Sequence, residues 1–442
     1  MFDSVQKRAA AIGRDGIKVR RLVQGCRKLL SERGEAAGVS LAKVTLDQYR
    51  ELDRRDQARF FAALHAEFSP DPEQVLAASR AYADDPSAAN LMRLGAIAEP
   101  PRQELLRRLN RAPGGTGTIL RMRERLLELK GEQRELEAVD ADFRHLLSSW
   151  FNPGFLQIVR VDWHSPAYLL EQIIVHEAVH EVRGWNDLRR RLEVDRRCFA
   201  FFHPALPDEP LIFVEVALMD RMVDAVTPLL DAQSPAGDPA RATTAVFYSI
   251  SNCQPGLRGV SLGNFLIKNV VEVLSREFPR LKVFCTLSPI PGFSAWLNRQ
   301  FKRGENDPPV APAVGRALKA VGAELGTDVT RIAGDPADAV GHLARLEAPL
   351  TALCATYLLH GGAEARGAEP VEDPVARFHL HNGARLERIN WLANASRRGL
   401  RESLGLMVNF LYEPRSIEAN HERFARGEIT ASRQVRGLAL DG

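Results

Sequence analysis

The first 150 residues carry apolar side chains at helical spacing. Ile119, Met122, Leu126 and Leu129 recur every three or four positions, and Arg, Glu and Lys occupy the other faces. This spacing gives the apolar stripe of a helix that packs on a core. Earlier stretches rich in Ala, Leu, Arg and Glu repeat the pattern between proline interruptions. We therefore predict a helical domain over residues 1–150, which serves as a scaffold or oligomerisation module.

The pattern changes beyond Trp150, where short runs of β-branched and aromatic residues are bounded by Pro, Gly or charged residues. Such runs are typical of strands. Helical patterns lie between them, over residues 168–185 and 262–278. The alternation predicts an α+β chain, in which an all-helical domain precedes a mixed α/β domain over residues 151–442. The predicted strands cover residues 156–161, 211–218, 245–250, 283–287 and 405–412.

Composition narrows the classes of partner and the compartment. The 442 residues include 59 Lys and Arg against 56 Asp and Glu, so the net charge is +3. This near-balance gives no broad positive electrostatic field that would attract nucleic acid or an acidic membrane. We therefore predict neither as a partner. The apolar runs are too short to span a membrane, and residues 1–16 lack the apolar core of a signal peptide. Five scattered cysteines without a CxxC pair fit a reducing compartment, so we predict a cytoplasmic protein.

Residues 176–180 read His-Glu-Ala-Val-His, which matches the HExxH motif of zinc hydrolases. On a helix, His176 and His180 would share one face, and Glu177 could act as a general base. A catalytic zinc site needs a third protein ligand, and the candidate Glu193 lies among arginines whose charge opposes a metal ion. The flanking apolar residues instead indicate a helix packed on a core. We predict no metal site and keep zinc hydrolysis as an alternative.

A glycine-bearing loop connects the strand over 245–250 to the next helical pattern. Residues 258–263 read Arg-Gly-Val-Ser-Leu-Gly. Backbone N–H groups at the start of a helix can bind an anion, helped by the helix dipole. Arg258 and Lys268 are candidate phosphate partners. The alternative is a plain glycine-rich turn.

Two further segments carry polar groups with catalytic potential. Thr286 and Ser288 end the strand over 283–287, and Pro289 biases Ser288 towards an extended backbone. Ser288 is therefore a candidate substrate contact, with a proline-stabilised turn as the alternative. Residues 376–384 read Ala-Arg-Phe-His-Leu-His-Asn-Gly-Ala. As a strand, this segment would place His379 and His381 on one face.

These segments resemble those of known enzymes. Residues 258–263 resemble the Q/R-x-x-G-x-G/A loop of the GNAT acetyltransferase superfamily, which wraps the pyrophosphate of coenzyme A, although Ser261 replaces the first motif glycine. Ser-Pro-Ile-Pro-Gly-Phe at 288–293 and Phe-His-Leu-His-Asn-Gly-Ala at 378–384 resemble the malonyl-CoA decarboxylase family. So do Trp-His-Ser-Pro at 163–166, Arg-Ile-Asn-Trp at 388–391 and Gly-Leu-Met at 405–407. The resemblance runs in order through nearly all of the chain beyond residue 149.

The resemblance implies a GNAT-like catalytic domain over 151–442 and a homo-oligomer. It implies a carboxy-lyase of fatty acid and malonate metabolism that converts malonyl-CoA to acetyl-CoA and CO₂ through a thioester enolate. No metal or organic cofactor is implied, because coenzyme A belongs to substrate and product and the thioester carbonyl accepts the electrons. The family's catalytic serine and histidine fall on Ser288 and His379. The implied coenzyme-binding residues are Arg258, Gly259, Val260, Ser261, Leu262, Gly263, Asn264 and Lys268.

In this scheme Ser288 hydrogen-bonds the malonyl carboxylate, and His379 stabilises or protonates the enolate. The enzymatic alternative is a GNAT-type N-acyltransferase that passes an acetyl group from acetyl-CoA to an amine. A coenzyme A-binding regulator without turnover is the non-enzymatic alternative. The Ser288 and His379 pair favours the decarboxylase, because neither alternative requires it.

Overall fold

The computed structural model describes residues 2–129, 131, 134–260, 265–303, 311–332, 336–361 and 371–440. The chain divides into two compact units. The first unit comprises Met1–Gln157, Phe202–Glu209 and Gln254–Leu262. The second unit comprises Ile158–Phe201, Pro210–Cys253 and Gly263–Gly442.

The first unit is helical, as the apolar spacing predicts. Helix starts are set by local chemistry: the Asp53, Asp71 and Ser87 side chains each accept an N–H of the following first turn. The helices are α1 Phe2–Ser31, α2 Glu35–Arg50, α3 Arg54–Glu67, α4 Pro72–Asp84, α5 Ala88–Ala98, α6 Pro101–Asn110, α7 Gly115–Leu129 and α8 Leu136–Trp150.

The core of this unit includes the predicted stripe of α7, of which Ile119, Met122 and Leu126 are buried. One of the later segments contributes the ring of His203, which packs on Phe151 with the ring centroids 4.7 Å apart. The other contributes the 3₁₀ turn Pro255–Leu257, which packs on α7. The first unit is therefore completed by residues that come after the sheet has begun.

The second unit combines one mixed sheet with helices. Within the described residues, no helix is long and apolar enough to cross a membrane. The strands are β1 Gln157–Val161, β2 Arg196–Phe202, β3 Ile212–Met219, β4 Thr244–Asn252, β5 Val283–Thr286, β6 Ser288–Pro289, β7 Arg385–Asn390 and β8 Met407–Tyr412. The helices are α9 Ala167–His176, α10 Trp185–Arg191, α11 Thr227–Leu230, α12 Phe265–Glu277, α13 Phe293–Phe301, α14 Pro312–Leu325, α15 Pro336–Leu343, α16 Glu347–His360, α17 Pro374–His381, α18 Arg397–Ser403, α19 Ile417–Ala425 and α20 Arg433–Leu438.

In the described part of the chain, the strands form one sheet in the order β1-β2-β3-β4-β5-β8-β6, and β7 pairs with β8. β2, β3 and β4 form an antiparallel meander. β4 and β5 are parallel, and α12 lies between them in the chain. The α+β class, with helices first and a mixed α/β part second, is confirmed. The strands predicted over 156–161, 211–218, 245–250, 283–287 and 405–412 are present. β2 and β7 were missed, because arginines such as Arg196 and Arg197 in β2 hide the strand pattern.

Two predicted elements are wrong. The single helix predicted over 168–185 ends at His176, and helical structure resumes at Trp185. The helix stops because the Glu177 carboxylate accepts the backbone N–H groups of Val179 and His180, which draws the chain out of helical geometry. The strand predicted around His379 is the helix α17 instead. There the Asp373 side chain caps the first turn, and Pro374 favours helical entry.

Candidate active site

Ser288 lies where a strand is interrupted. β5 pairs with β8, and β6 resumes the same register on β8 after a break at Thr286. At the break, the Phe410 N–H donates to Thr286 Oγ1 at 3.2 Å, and the Asn409 side-chain amide donates to the Thr286 carbonyl at 2.7 Å. The Thr286 hydroxyl and the Asn409 amide thus take the place of backbone hydrogen bonds between the two strands. The interruption leaves the hydroxyls of Thr286 and Ser288 side by side in a buried site.

His379 faces Ser288 from the last turn of α17. Its Nε2 atom lies 3.0 Å from Ser288 Oγ, and its Nδ1 atom lies 2.8 Å from the Tyr412 hydroxyl. The imidazole also stacks on the Phe410 ring, with centroids 4.7 Å apart. His379 is 3% exposed and Ser288 is 5% exposed. The structure thus brings together the two side chains predicted to be catalytic, which are 91 residues apart in the chain.

The hydrogen bonds around His379 define its tautomer. The Ser288 hydroxyl donates to Thr286 Oγ1 at 2.8 Å, so its oxygen is left to accept a hydrogen bond from His379. Nε2 is therefore assigned the ring proton, and Nδ1 accepts a hydrogen bond. Burial raises the pKa of Tyr412 well above its ordinary value, so the phenol keeps the proton that it donates to Nδ1. A single chain of donors runs from Tyr412 through His379 and Ser288 to Thr286.

The imidazole is neutral at physiological pH. Burial lowers the pKa of His379 to about 3, because the cation would lose its hydration. Nε2–H is consequently a neutral hydrogen-bond donor held in a buried site. Such a group stabilises an oxyanion more readily than it gives up its proton.

Asp373 connects the segment after Ser288 to the helix that carries His379. Its Oδ1 accepts the N–H groups of Val375 and Ala376 at 3.0 Å each, which caps α17. Its Oδ2 accepts the Gly292 N–H at 3.0 Å. Only glycine fits there, since a Cβ on Gly292 would lie 2.1 Å from the Tyr357 hydroxyl. One buried carboxylate therefore couples the positions of the two elements that hold the Ser288 and His379 pair.

The comparison with known sequences now decides the family. A family profile described as "Malonyl-CoA decarboxylase C-terminal domain" matches residues 154–441, and the corresponding N-terminal domain profile matches residues 68–151. The chain belongs to the malonyl-CoA decarboxylase family. It is 37% identical over 370 residues to malonyl-CoA decarboxylase, mitochondrial, of Rattus norvegicus, covering 77% of this chain and 71% of that protein.

Solved structures of malonyl-CoA decarboxylases share the whole fold. The Rhodopseudomonas palustris enzyme is 46% identical, covers 95% of this chain and 99% of its own, and superposes with a TM-score of 0.85. The Agrobacterium vitis enzyme has the same identity and coverage with a TM-score of 0.84. The predicted family and the predicted carboxy-lyase activity are confirmed.

The coenzyme-binding residues expected in a malonyl-CoA decarboxylase are divided between the two units. Arg258, Gly259 and Val260 belong to the first unit, with both Arg258 and Gly259 exposed. Lys268 belongs to the second unit, on α12, where its Nζ lies 3.7 Å from Glu418 Oε1. The remaining predicted residues, Ser261, Leu262, Gly263 and Asn264, lie outside the described part of the chain.

The HExxH segment of this family member has a structural role. Both Glu177 oxygens accept hydrogen bonds from the hydroxyls of Ser249 and Ser251 on β4, at 2.7–3.0 Å. Burial, and then the charge of Arg191, lowers the pKa of His180 to about 3. Among the described residues, no three His, Cys, Asp or Glu side chains cluster in a way that could hold a metal ion. Glu177 thus anchors the segment after α9 to the sheet.

Three positions in this candidate site were not predicted from the sequence. Tyr412 and Asn409 are polar residues inside the apolar run 405–412, and that contrast was the available signal. Both are buried and hydrogen-bonded in the structure. Asp373 precedes Pro374, a combination typical of a helix start. Its bond to Gly292 spans 81 residues and had no sequence signal.

Replacing Tyr412 by Phe should lower kcat for malonyl-CoA about tenfold with little change in KM. The variant removes the donor that holds His379 in its Nε2–H tautomer. One hydrogen bond contributes roughly 0.5–1.5 kcal/mol, and the upper end of that range is about tenfold in rate. Tyr248→Phe is the matched control, because the Tyr248 hydroxyl is buried without a partner among the described residues. Equal kcat values for the two variants would exclude a positioning role for Tyr412.

Replacing Asp373 by Ser should also lower kcat about tenfold while leaving coenzyme A affinity unchanged. Serine can still cap α17, yet it is too short to hold Gly292 at the same time. Asp373→Ala loses the cap as well, which should cost about 1 kcal/mol more in unfolding free energy. Steady-state kinetics and thermal melting separate these effects. A serine variant that is destabilised but fully active would show that Asp373 only supports folding.

Proposed function

We propose that this chain decarboxylates malonyl-CoA with Ser288 and His379 as its catalytic residues. The observation that supports the proposal best is the buried contact of 3.0 Å between Ser288 Oγ and a neutral, singly oriented His379 Nε2–H. The reaction needs the carboxylate held in one orientation and a donor for the oxygen that becomes negative. These two side chains supply one group for each task.

Ser288 holds the malonyl carboxylate. Its hydroxyl donates to Thr286 Oγ1 in the free protein and turns to a carboxylate oxygen when substrate binds. The C–C bond then stands perpendicular to the thioester plane, so that its electron pair enters the carbonyl as CO₂ leaves. Holding this conformer lowers the entropic part of the barrier.

His379 donates Nε2–H to the thioester oxygen as it becomes an enolate oxygen. The lowered pKa of the imidazole favours this role over proton transfer, because transfer from neutral Nε2–H would leave an imidazolate. Water therefore supplies the proton that C2 takes up, and the products are acetyl-CoA and CO₂. The structure thus favours stabilisation over protonation, the two roles that the sequence left open for His379.

The thioester carbonyl is the electron sink of this scheme, so the chemistry calls for no metal ion or organic cofactor. Arg258, Gly259, Val260, Ser261, Leu262, Gly263, Asn264 and Lys268 would bind the phosphate groups of coenzyme A. We call residues 258–264 the coenzyme loop.

The same proposal assigns a role to each domain. Residues 1–150 would serve as the scaffold of a homo-oligomer, and residues 151–442 would form a GNAT-like catalytic domain. The cytoplasmic location also stays a prediction. It is supported by five cysteines that are buried and free of disulfides, namely Cys26, Cys198, Cys253, Cys285 and Cys354.

The test is release of CO₂ from malonyl-CoA by the purified chain without an added acceptor. The expected result is stoichiometric CO₂ and acetyl-CoA, with a rate unchanged after dialysis against a chelator. Acetyl transfer from acetyl-CoA to an amine, without CO₂ release from malonyl-CoA, would contradict the proposal and favour the N-acyltransferase. Coenzyme A binding with neither reaction would favour a regulator.

A further inference from the structure

The turn before the coenzyme loop is fixed to the helices of the first unit. Arg123 on α7 is 1% exposed, and it donates to the Gly256 carbonyl at 2.6 Å and to Asp140 on α8 at 2.9 Å. A Cβ on Gly256 would lie 2.3 Å from the Leu120 carbonyl oxygen, so this turn packs directly on the α7 backbone. The chain that enters the coenzyme loop is therefore held by α7 and α8.

The same side of α8 also contacts Gly259. Arg144 lies one helical turn after Asp140, and residues four apart share a helix face. Its Cδ lies 4.0 Å from the Cβ position of Gly259, the second residue of the coenzyme loop. Gly259 has a φ of +74°, a conformation that glycine adopts readily and that turns the loop here. The exposed Arg144 side chain thus lies beside Gly259.

Two arginines lie at this turn, since Arg258 precedes Gly259 in the chain and Arg144 contacts it. Both side chains are exposed, and neither forms an ion pair within the described part of the chain. Two unneutralised arginines beside a glycine turn suit a phosphate group, which guanidinium binds in a bidentate manner. The buried arginines in the described part of this unit are paired, Arg123 with Asp140 and Arg102 with Asp142.

We infer that Arg144 of the helical unit binds a phosphate group of coenzyme A together with Arg258. This inference rests on the proposed function, since it takes Arg258 as a residue that binds coenzyme A. It gives the helical unit a direct role in substrate binding, in addition to the scaffold role predicted from its sequence. The ligand class is a phosphate monoester or diphosphate, as found at the 3′-phosphate and the pyrophosphate of the coenzyme.

The test compares Arg144→Gln with Arg93→Gln in the full chain. Arg93 is an exposed arginine on α5 of the same unit, so the control removes an equal charge. Titration calorimetry with coenzyme A should show about tenfold weaker binding for Arg144→Gln and unchanged binding for Arg93→Gln. KM for malonyl-CoA should rise by a similar factor while kcat stays near that of the wild type. Arg144→Lys should restore part of the affinity.

Dephospho-coenzyme A identifies the phosphate. If the difference between wild type and Arg144→Gln disappears with this ligand, Arg144 binds the 3′-phosphate, and if it persists, Arg144 binds the pyrophosphate. Equal coenzyme A affinity of Arg144→Gln and wild type would overturn the inference and leave the decarboxylase intact. A wild type that binds coenzyme A without releasing CO₂ would overturn the proposed function, and the calorimetry would still decide on Arg144.

Discussion

Replacement of His379 by Asn should lower kcat for malonyl-CoA about a thousandfold. Asparagine is too short to reach Ser288, so the site loses the only donor that we assign to the enolate oxygen. Removal of one donor from an oxyanion site costs roughly a hundredfold to a thousandfold in kcat. His379→Gln distinguishes the two roles of the histidine, because a glutamine amide N–H can lie near the Nε2 position but cannot act as an acid at neutral pH.

If His379 acts as a hydrogen-bond donor, the Gln variant should retain much more activity than the Asn variant, with a loss of about tenfold. If it protonates C2, both variants should be equally inactive. Coenzyme A affinity, measured by calorimetry, should stay within about twofold of the wild type for both. A large loss of affinity would show instead that the imidazole organises the binding site.

The pH dependence of kcat/KM in the wild type and in His379→Gln tests the neutral state of His379 independently. With a pKa of about 3, His379 stays neutral across the ordinary assay range, so kcat/KM should show no inflection from this residue near pH 6.5. An inflection at pH 6.5 that disappears in His379→Gln would contradict the neutral donor.

Because the folded-state pKa of His379 is below its unfolded value, the unfolded chain takes up the proton first as the pH falls. The wild type should therefore lose stability relative to His379→Gln as pH falls from about 6.5 towards 3.

Replacement of Ser288 by Ala should lower kcat about a hundredfold and leave affinity for acetyl-CoA unchanged. The serine is proposed to contact the carboxylate, which acetyl-CoA lacks, and a hydrogen bond to a charged group contributes roughly 1.5–3 kcal/mol. Ser294→Ala is the matched control. Ser294 is also buried, and its hydroxyl has no partner among the described residues.

The control should keep wild-type kinetics, since no hydrogen bond is lost. The affinities for malonyl-CoA and acetyl-CoA then show whether Ser288 binds the carboxylate or supports the structure of the site. If Ser288→Ala weakens malonyl-CoA and acetyl-CoA binding alike, the serine supports the structure of the site rather than the carboxylate. Inhibition of malonyl-CoA turnover by acetyl-CoA supplies the second affinity in the same assay.

Much of the fold was readable from the sequence because the periodicities were strong. The stripe of α7 and the strand pattern of β8 reflect one-sided burial, which local spacing encodes directly. The failures occurred where a hydrogen bond from a side chain to the backbone set the start or the end of a helix. Glu177 ends α9 through bonds to its own segment and to serines on β4, and no local periodicity reports such a contact.

The site was predictable in its residue types and unpredictable in its geometry. Ser288 and His379 were identified through their motifs, but His379 was placed on a strand, where it shared a face with His381. On α17, the two histidines diverge, and His379 alone contacts Ser288. Tyr412 and Asp373 act through contacts that span 33 and 81 residues, and such pairings follow from tertiary packing alone.

The first unit consists of three separate chain segments, and this affects when it can fold during synthesis. Domains generally fold from the N-terminus as they leave the ribosome. Here the helical unit needs Phe202–Glu209 and Gln254–Leu262, so its packing stays incomplete until about residue 262 has emerged. By then β2, β3 and β4 have been synthesised as well. The first unit can therefore complete its packing only after the strands of the meander have been synthesised, while His379 is still far from being translated.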